Sequence, residues 1–207
     1  MQLIGSTTSP YVRKTRVYIA ESRTKCDFVP VDAWQPDAKL LAVAPLGKVP
    51  VLIRDDGRSL YDSLLVIEYL DSLLPEAQRL LPSGGEARWE VLRLQALAHG
   101  LIDATVFRLL DVRRPEALRS LEVQAREETR IARTLDYLEK SFDGCQWACL
   151  ERFTLADVVL GVALQYIDFR YAHDWRAGRP GLAAWAAAVH RRPSFANTLP
   201  PGFTPAA

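Results

Sequence analysis

The stretch Lys48-Val49-Pro50-Val51-Leu52-Ile53, the turn Asp55-Asp56-Gly57, and the return Ser59-Leu60-Tyr61 constrain the fold most tightly. Two short apolar runs around an Asp-Gly turn predict an antiparallel hairpin, because glycine supplies the positive φ such turns need. Upstream, Gln2 to Ser6 reads as a short buried strand and Pro10 to about Arg23 as a helix. Phe28-Val29-Pro30-Val31 reads as a second strand, whose proline suits an edge or a strand end. Strand, helix and strand in that order generally give a parallel pair. Along the helix, Val12, Val17, Ile19 and Ala20 are expected to face inward, and Arg13, Lys14 and Arg16 to face water. Trp34 to Ala44 is less regular and is expected to be a loop with one short helix. After the hairpin, Asp62-Ser63 opens a helix to about Leu74, with Leu64, Ile67, Leu70 and Leu74 at helical spacing and Pro75 stopping it.

The pattern then changes. Pro82-Ser83-Gly84-Gly85 has the composition of a linker, and helical periods dominate from Glu86 onward. Long amphipathic helices are expected from about Ala87 to Val112 and from about Pro115 to Phe142. Thr154 and Asp157 stand at capping-box spacing before an apolar helix, Val158 to about Phe169. A last helix near Leu182 to His190 is closed by Arg191-Arg192-Pro193, and the proline-rich tail after Asn197 is expected to lack regular structure. The expected class is α/β plus all-α: a small domain over 1–76, a linker over 77–86, and an all-helical domain over 87–207.

Composition narrows the function. With 207 residues, 49% hydrophobic and 25% charged, the chain has the make-up of an ordinary globular protein. A net charge of +1 gives no electrostatic footprint for nucleic acid or an anionic membrane. No apolar run approaches the roughly 20 residues that span a bilayer, and no signal-peptide pattern opens the chain, so the cytoplasm is the expected compartment. Cys26, Cys145 and Cys149 are odd in number and lack a Cys-x-x-Cys pair, which argues against a disulfide framework. His99, His173 and His190 show no zinc-ligand spacing with them, so no metal is expected.

The most chemically suggestive segment is Gly5 to Lys14. Ser9-Pro10 is a helix start: serine is a favoured N-cap, and proline suits the first helical position. A hydroxyl there lies where backbone N–H groups and the positive dipole end favour an anion. Taken locally, Ser9 reads first as a cap.

Ser9-Pro10, Gly47-Lys48-Val49-Pro50-Val51-Leu52, Asp62-Ser63, the Thr154–Asp157 box and Arg192-Pro193-Ser194-Phe195, in this order and spacing, resemble the cytosolic glutathione transferases of serine type, bacterial members included. The resemblance runs along nearly the whole chain. It implies a thioredoxin-like N-terminal domain that binds glutathione, a helical-bundle C-terminal domain, and a homodimer. It implies Ser9 as the catalytic hydroxyl, with Thr7 and Thr8 as nearby alternatives. It also implies a cis bend at Val49-Pro50 that presents the Val49 backbone to the cysteinyl part of glutathione, with Lys48 beside it. Asp62 and Ser63 would hold the γ-glutamyl ammonium and carboxylate, a role that can coexist with capping a helix. Lys39 and Trp34 are candidates for the glycine end. In the second half, Asp103 is a candidate for a neighbouring glutathione across a dimer or for a solvated face, and Phe107, Arg108 and Tyr166 for the electrophile pocket or the core.

The implied chemistry is physically sufficient. A free thiol has a pKa of about 8.5, so little is thiolate at neutral pH. A hydrogen bond to a charged group is worth roughly 1.5–3 kcal/mol, enough to lower the thiol pKa by about one to two pH units. The helix N-terminus adds about 0.3–1 kcal/mol in the same direction. The expected function is therefore conjugation of glutathione, as cosubstrate, to a small electrophile. The alternatives are glutathione-dependent reduction of disulfides or peroxides, for which cysteine is common at the position of Ser9, and a glutathione-binding interaction module with little turnover.

Overall fold

β1 (Gln2–Gly5) and β2 (Asp27–Pro30) lie parallel, joined by α1 (Pro10–Ser22), in a computed structural model that describes residues 1–35, 38–142, 144–171 and 173–205. β3 (Val51–Ile53) runs antiparallel to β1, with Leu3 opposite Leu52, and β4 (Ser59–Leu60) runs antiparallel to β3. The strand order is β2-β1-β3-β4. The expected hairpin is present. The Arg54 amide donates to the Arg58 carbonyl at 2.9 Å, and Gly57 closes the loop at φ 80°. Gly5 is needed for a different reason. A Cβ there would stand 2.6 Å from the Val12 methyls, so only glycine lets β1 approach α1 this closely.

Ser9 caps α1, its Oγ accepting from the Val12 amide at 3.3 Å, and Arg23 ends the helix in the left-handed region at φ 54°. The expected polarity of α1 is wrong in part. Arg13 and Lys14 are buried, at 3% and 0% exposure, and Ala20 is exposed. The cause is that α1 is covered on more than one side, by α3 (Ser63–Ser72) and by α8 (Pro193–Ala196). The Arg13 guanidinium donates to the Phe195 carbonyl at 3.2 Å, and burial pulls its pKa down to about 10.

Within the stretch from Trp34 to Ala44, α2 (Ala38–Val43) is the one short helix; residues 36 and 37 lie outside the described residues. Leu40, Ala44 and Val51 form a buried cluster there, with Ile4, Val49 and Ile53 packed against it. α3 buries Ser63, Val66, Ile67, Leu70 and Asp71, which leaves Leu64 outward at 37% exposure although it shares the helical spacing of Ile67 and Leu70. Asp71 ties the end of α3 to its surroundings, accepting from the Tyr18 hydroxyl at 2.8 Å and the Leu80 amide at 2.9 Å.

The contacts divide the chain into two compact units, Met1–Ser83 with Pro193–Phe203, and Gly84–Arg192 with the last residues. The second unit comprises α4 (Gly85–Val112), α5 (Leu121–Glu139), α6 (Leu155–Arg170) and α7 (Pro180–His190). α6 is buried on every side from Leu155 to Ile167, as its apolar sequence requires, and packs against α4 and α7. The helix expected from Pro115 to Phe142 is shorter. Glu116–Leu118 forms a single 3-10 turn, and α5 starts only at Leu121, because the Ser120 hydroxyl caps it through the Val123 amide and Asp111 accepts the Ser120 amide. Thr154 and Asp157 form the expected capping box at the start of α6.

Candidate functional site

Sheet register alone brings three of the singled-out segments to one end of the first unit. The chain leaves β1 at Gly5, enters β3 at Val51 beside Ile4, and leaves β4 at Leu60, which pairs with Leu52. Ser9, Lys48-Val49 and Asp62-Ser63 therefore all attach at the same sheet edge, within four residues of a strand end. The loop that carries Ser9 is fixed by its own hydroxyls. Ser6 Oγ and Thr8 Oγ1 are 3.2 Å apart, and the Ser9 amide donates to the Ser6 carbonyl at 3.2 Å. Thr8 is thus engaged with Ser6, whereas the half-buried Ser9 Oγ accepts from Val12 and, among the described residues, keeps its own proton to give.

The Val49–Pro50 bond is cis, as the resemblance implied, and so is Tyr61–Asp62, which nothing in the sequence signalled. The ladder between β1 and β3 begins at Val51, so the Val49 N–H and C=O lie beyond it. Lys48 is exposed and Val49 half-buried. Asp62 caps α3, one carboxylate oxygen accepting from the Leu64 amide at 2.9 Å. Ser63 is 1% exposed, and its Oγ is buried with no hydrogen-bond partner. A buried hydroxyl without a partner costs about 1–3 kcal/mol unless something satisfies it, and this one sits in the first turn of a helix, where anions are favoured. Its chemistry fits a carboxylate.

The other candidates are each described by their own surroundings. Trp34 is 60% exposed, its amide donating to Asp32 at 2.8 Å, and Lys39 is exposed on α2. In the second unit, Asp103 lies 3.7 Å from His99. Phe107 is 54% exposed and so is not core, and Tyr166 is buried. Arg108 is spent on Glu128 at 2.6 Å, with its guanidinium 3.9 Å from the Tyr171 ring centroid. Among the described residues no group of histidine, cysteine or acidic side chains is placed to hold a metal, and no helix is long and apolar enough to cross a membrane. Sequence reasoning missed the burial of Arg13 and Lys14. The available signal was their place in the first helical turns after Ser9, where a second element can cover them.

The profile of the glutathione S-transferase N-terminal domain matches residues 3–78, and that of the C-terminal domain matches residues 122–188. The chain is 34% identical over 203 residues to the uncharacterized GST-like protein YibF of Escherichia coli K12, spanning 97% of this chain and 99% of that one. A glutathione S-transferase from Methylobacillus flagellatus KT, solved with glutathione bound, superposes with a TM-score of 0.91 at 40% identity, covering 96% of this chain and 98% of that one. A family member from Pseudomonas fluorescens Pf-5, solved with bound S-(propanoic acid)-glutathione, superposes at 0.85 with 33% identity, covering 97% and 99%. The fold is a thioredoxin-like domain followed by an all-helical one, and the chain belongs to the glutathione S-transferase family.

Proposed function

We propose that this chain binds glutathione at the shared edge of β1, β3 and α3 and conjugates it to a small electrophile. The observation that carries the proposal is the Ser63 hydroxyl, buried and unpartnered in the first turn of α3. In this reading Ser63 and the nearby helix amides take the γ-glutamyl carboxylate, and the free oxygen of Asp62 takes the ammonium. The Val49 backbone pairs with the cysteinyl unit as an added strand, with Lys48 alongside. Ser9 donates its proton to the sulfur, holding it as thiolate. The thiolate electron pair then forms a carbon–sulfur bond as the leaving group departs or the strained or unsaturated bond of the acceptor opens. Relatives solved with glutathione bound, at 40% and 34% identity, support the binding half.

With this activity go residues 1–76 as the glutathione-binding domain, 77–86 as the linker and 87–207 as the helical domain, in a homodimer serving detoxification. The three cysteines are free thiols, which suits the reducing cytoplasm where glutathione is kept reduced. The test is retention on immobilised glutathione together with turnover against a panel of electrophiles. Ser63→Ala is expected to weaken glutathione binding about tenfold while leaving unfolding stability unchanged or raised, since the hydroxyl it removes has no partner to lose. Binding without turnover would assign an interaction module, turnover of disulfides or peroxides alone a reductase, and failure to bind would reject every glutathione role.

A further inference from the structure

The connection from α5 to α6 holds two of the chain's three cysteines, Cys145 and Cys149, and the activity proposed above uses neither. Among its described residues no helix or strand forms, and the chain turns sharply at every residue from 146 to 149. The residues that flank the pair, Gly144 and Leu150, both take positive φ, at 67° and 57°. A leucine is rarely found there, so the backbone holds a strained residue where it folds back. Four residues curled to helical tightness advance the chain by about 6 Å. A disulfide spans about 4.4–6.8 Å between Cα atoms, so curvature of this kind suits one.

The two thiols differ in a useful way. Cys145 is exposed, with its Sγ 3.2 Å from the Ser141 carbonyl oxygen. Cys149 is half-buried, with its Sγ 3.8 Å from Thr154 Oγ1, and burial pushes its thiol pKa up. Thiols are weak hydrogen-bond donors, so either contact can be given up at little cost. An accessible thiol meets an oxidant first, and a sheltered one four residues on can resolve the product. Cys26 has no such neighbour, because it is the single cysteine of the first unit.

We propose that Cys145 and Cys149 are a reversible modification site, a dithiol that a small disulfide of the glutathione disulfide type oxidises to an intramolecular disulfide. The Cys145 thiolate attacks one sulfur of the small disulfide, forms a mixed disulfide and expels one glutathione thiolate. The Cys149 thiolate then attacks the Cys145 sulfur, closes the protein disulfide and expels the second. Two protein thiols are oxidised and one small disulfide is reduced to two thiols. The protons lost by the cysteines go to the departing thiolates. Both cysteines belong to the second unit, and the exchange does not require glutathione bound at the sheet edge of the first.

The test is incubation of the folded full chain with glutathione disulfide, then alkylation of remaining thiols, trypsin without reductant, and mass spectrometry. Cleavage after Lys140 and Arg152 releases one peptide that carries both cysteines and no third. In the parent chain this peptide is expected to lose two hydrogens, escape alkylation and regain both thiols with dithiothreitol. Cys149→Ser is expected to stop at a lasting glutathionyl adduct on Cys145. In Cys145→Ser, modification of Cys149 is expected to be about tenfold slower or more. A parent chain whose thiols stay unreacted, or whose Cys145 adduct lasts as long as in Cys149→Ser, overturns the proposal. Equal modification of Cys149 with and without Cys145 overturns the order of the two steps.

Discussion

The starts of α1 and α6 look alike in sequence, since each opens on a hydroxyl residue, yet their hydroxyls end in opposite states. Ser9 is half-buried, accepts one bond from Val12, and keeps its proton. Thr154 is fully buried, and its hydroxyl donates to Asp157 at 3.0 Å. The Asp157 carboxylate also accepts the Thr154 amide at 2.8 Å and the Ala148 amide at 2.7 Å. Burial pushes the Asp157 carboxyl pKa up while these three donors hold it down. The Thr154 hydroxyl and amide at the α6 start are both spent on Asp157, whereas the α1 start leaves the Ser9 proton over. A helix-start motif by itself does not separate structure from chemistry; what remains unsatisfied at the surface does.

Removing the saturated side of the pair is expected to have the largest effect. Asp157→Ala leaves two backbone amides without their acceptor, at about 1–3 kcal/mol each, so unfolding in urea should show a loss of roughly 2–6 kcal/mol. Glutathione affinity of the fraction that stays folded should not change. A loss below about 1 kcal/mol would mean that the α6 start is not the structural clamp its geometry describes.

Ser9→Ala acts on the open side. Stability should fall by about 1 kcal/mol, the usual worth of a cap. Turnover near neutral pH should fall about 10–100-fold, because a hydrogen bond to a thiolate is worth roughly 1.5–3 kcal/mol. The acid limb of the rate profile should move up by about one to two pH units, with the maximal rate at high pH less affected. If activity and the profile stay put while stability drops, Ser9 is a cap alone and the contrast with Thr154 disappears.

The hairpin, the parallel β1–β2 pair and the capping box were legible because each is written in adjacent residues: an Asp-Gly turn, a strand–helix–strand order, a four-residue spacing. The burial of Arg13 was not, because its partner is a carbonyl 182 residues away. No periodicity within Pro10–Ser22 announces that α8 will cover it. The site was legible in the same uneven way. Ser9 and Asp62 advertise themselves as caps, and each does cap its helix. That the Ser63 hydroxyl ends up buried and unpartnered depends on packing around the start of α3, which sequence spacing does not encode.

A third helix start grades the comparison and gives its smallest expected effect. Ser120 caps α5 through the Val123 amide at 3.3 Å, and its own amide donates to Asp111 at 3.0 Å. Asp111, in the last turn of α4, also accepts from Gln124 Nε2 at 2.8 Å. That side-chain bond, with the Ser120 amide and Arg114, holds the Asp111 carboxyl below the usual carboxylate range, against the opposing effect of burial. A carboxyl whose pKa is lowered by folding stabilises the fold at pH values above its unfolded pKa, about 3.9, and that contribution is lost as pH falls through the folded value. Stability followed from pH 6 to acid should therefore decline through this window. Asp111→Asn should flatten that part of the curve while costing less at neutral pH than Asp157→Ala, because Arg114 beside it is exposed to solvent and Gln124 can turn to water. Equal acid sensitivity in parent and variant would place the α5 start with the fully buried α6 start rather than between it and α1.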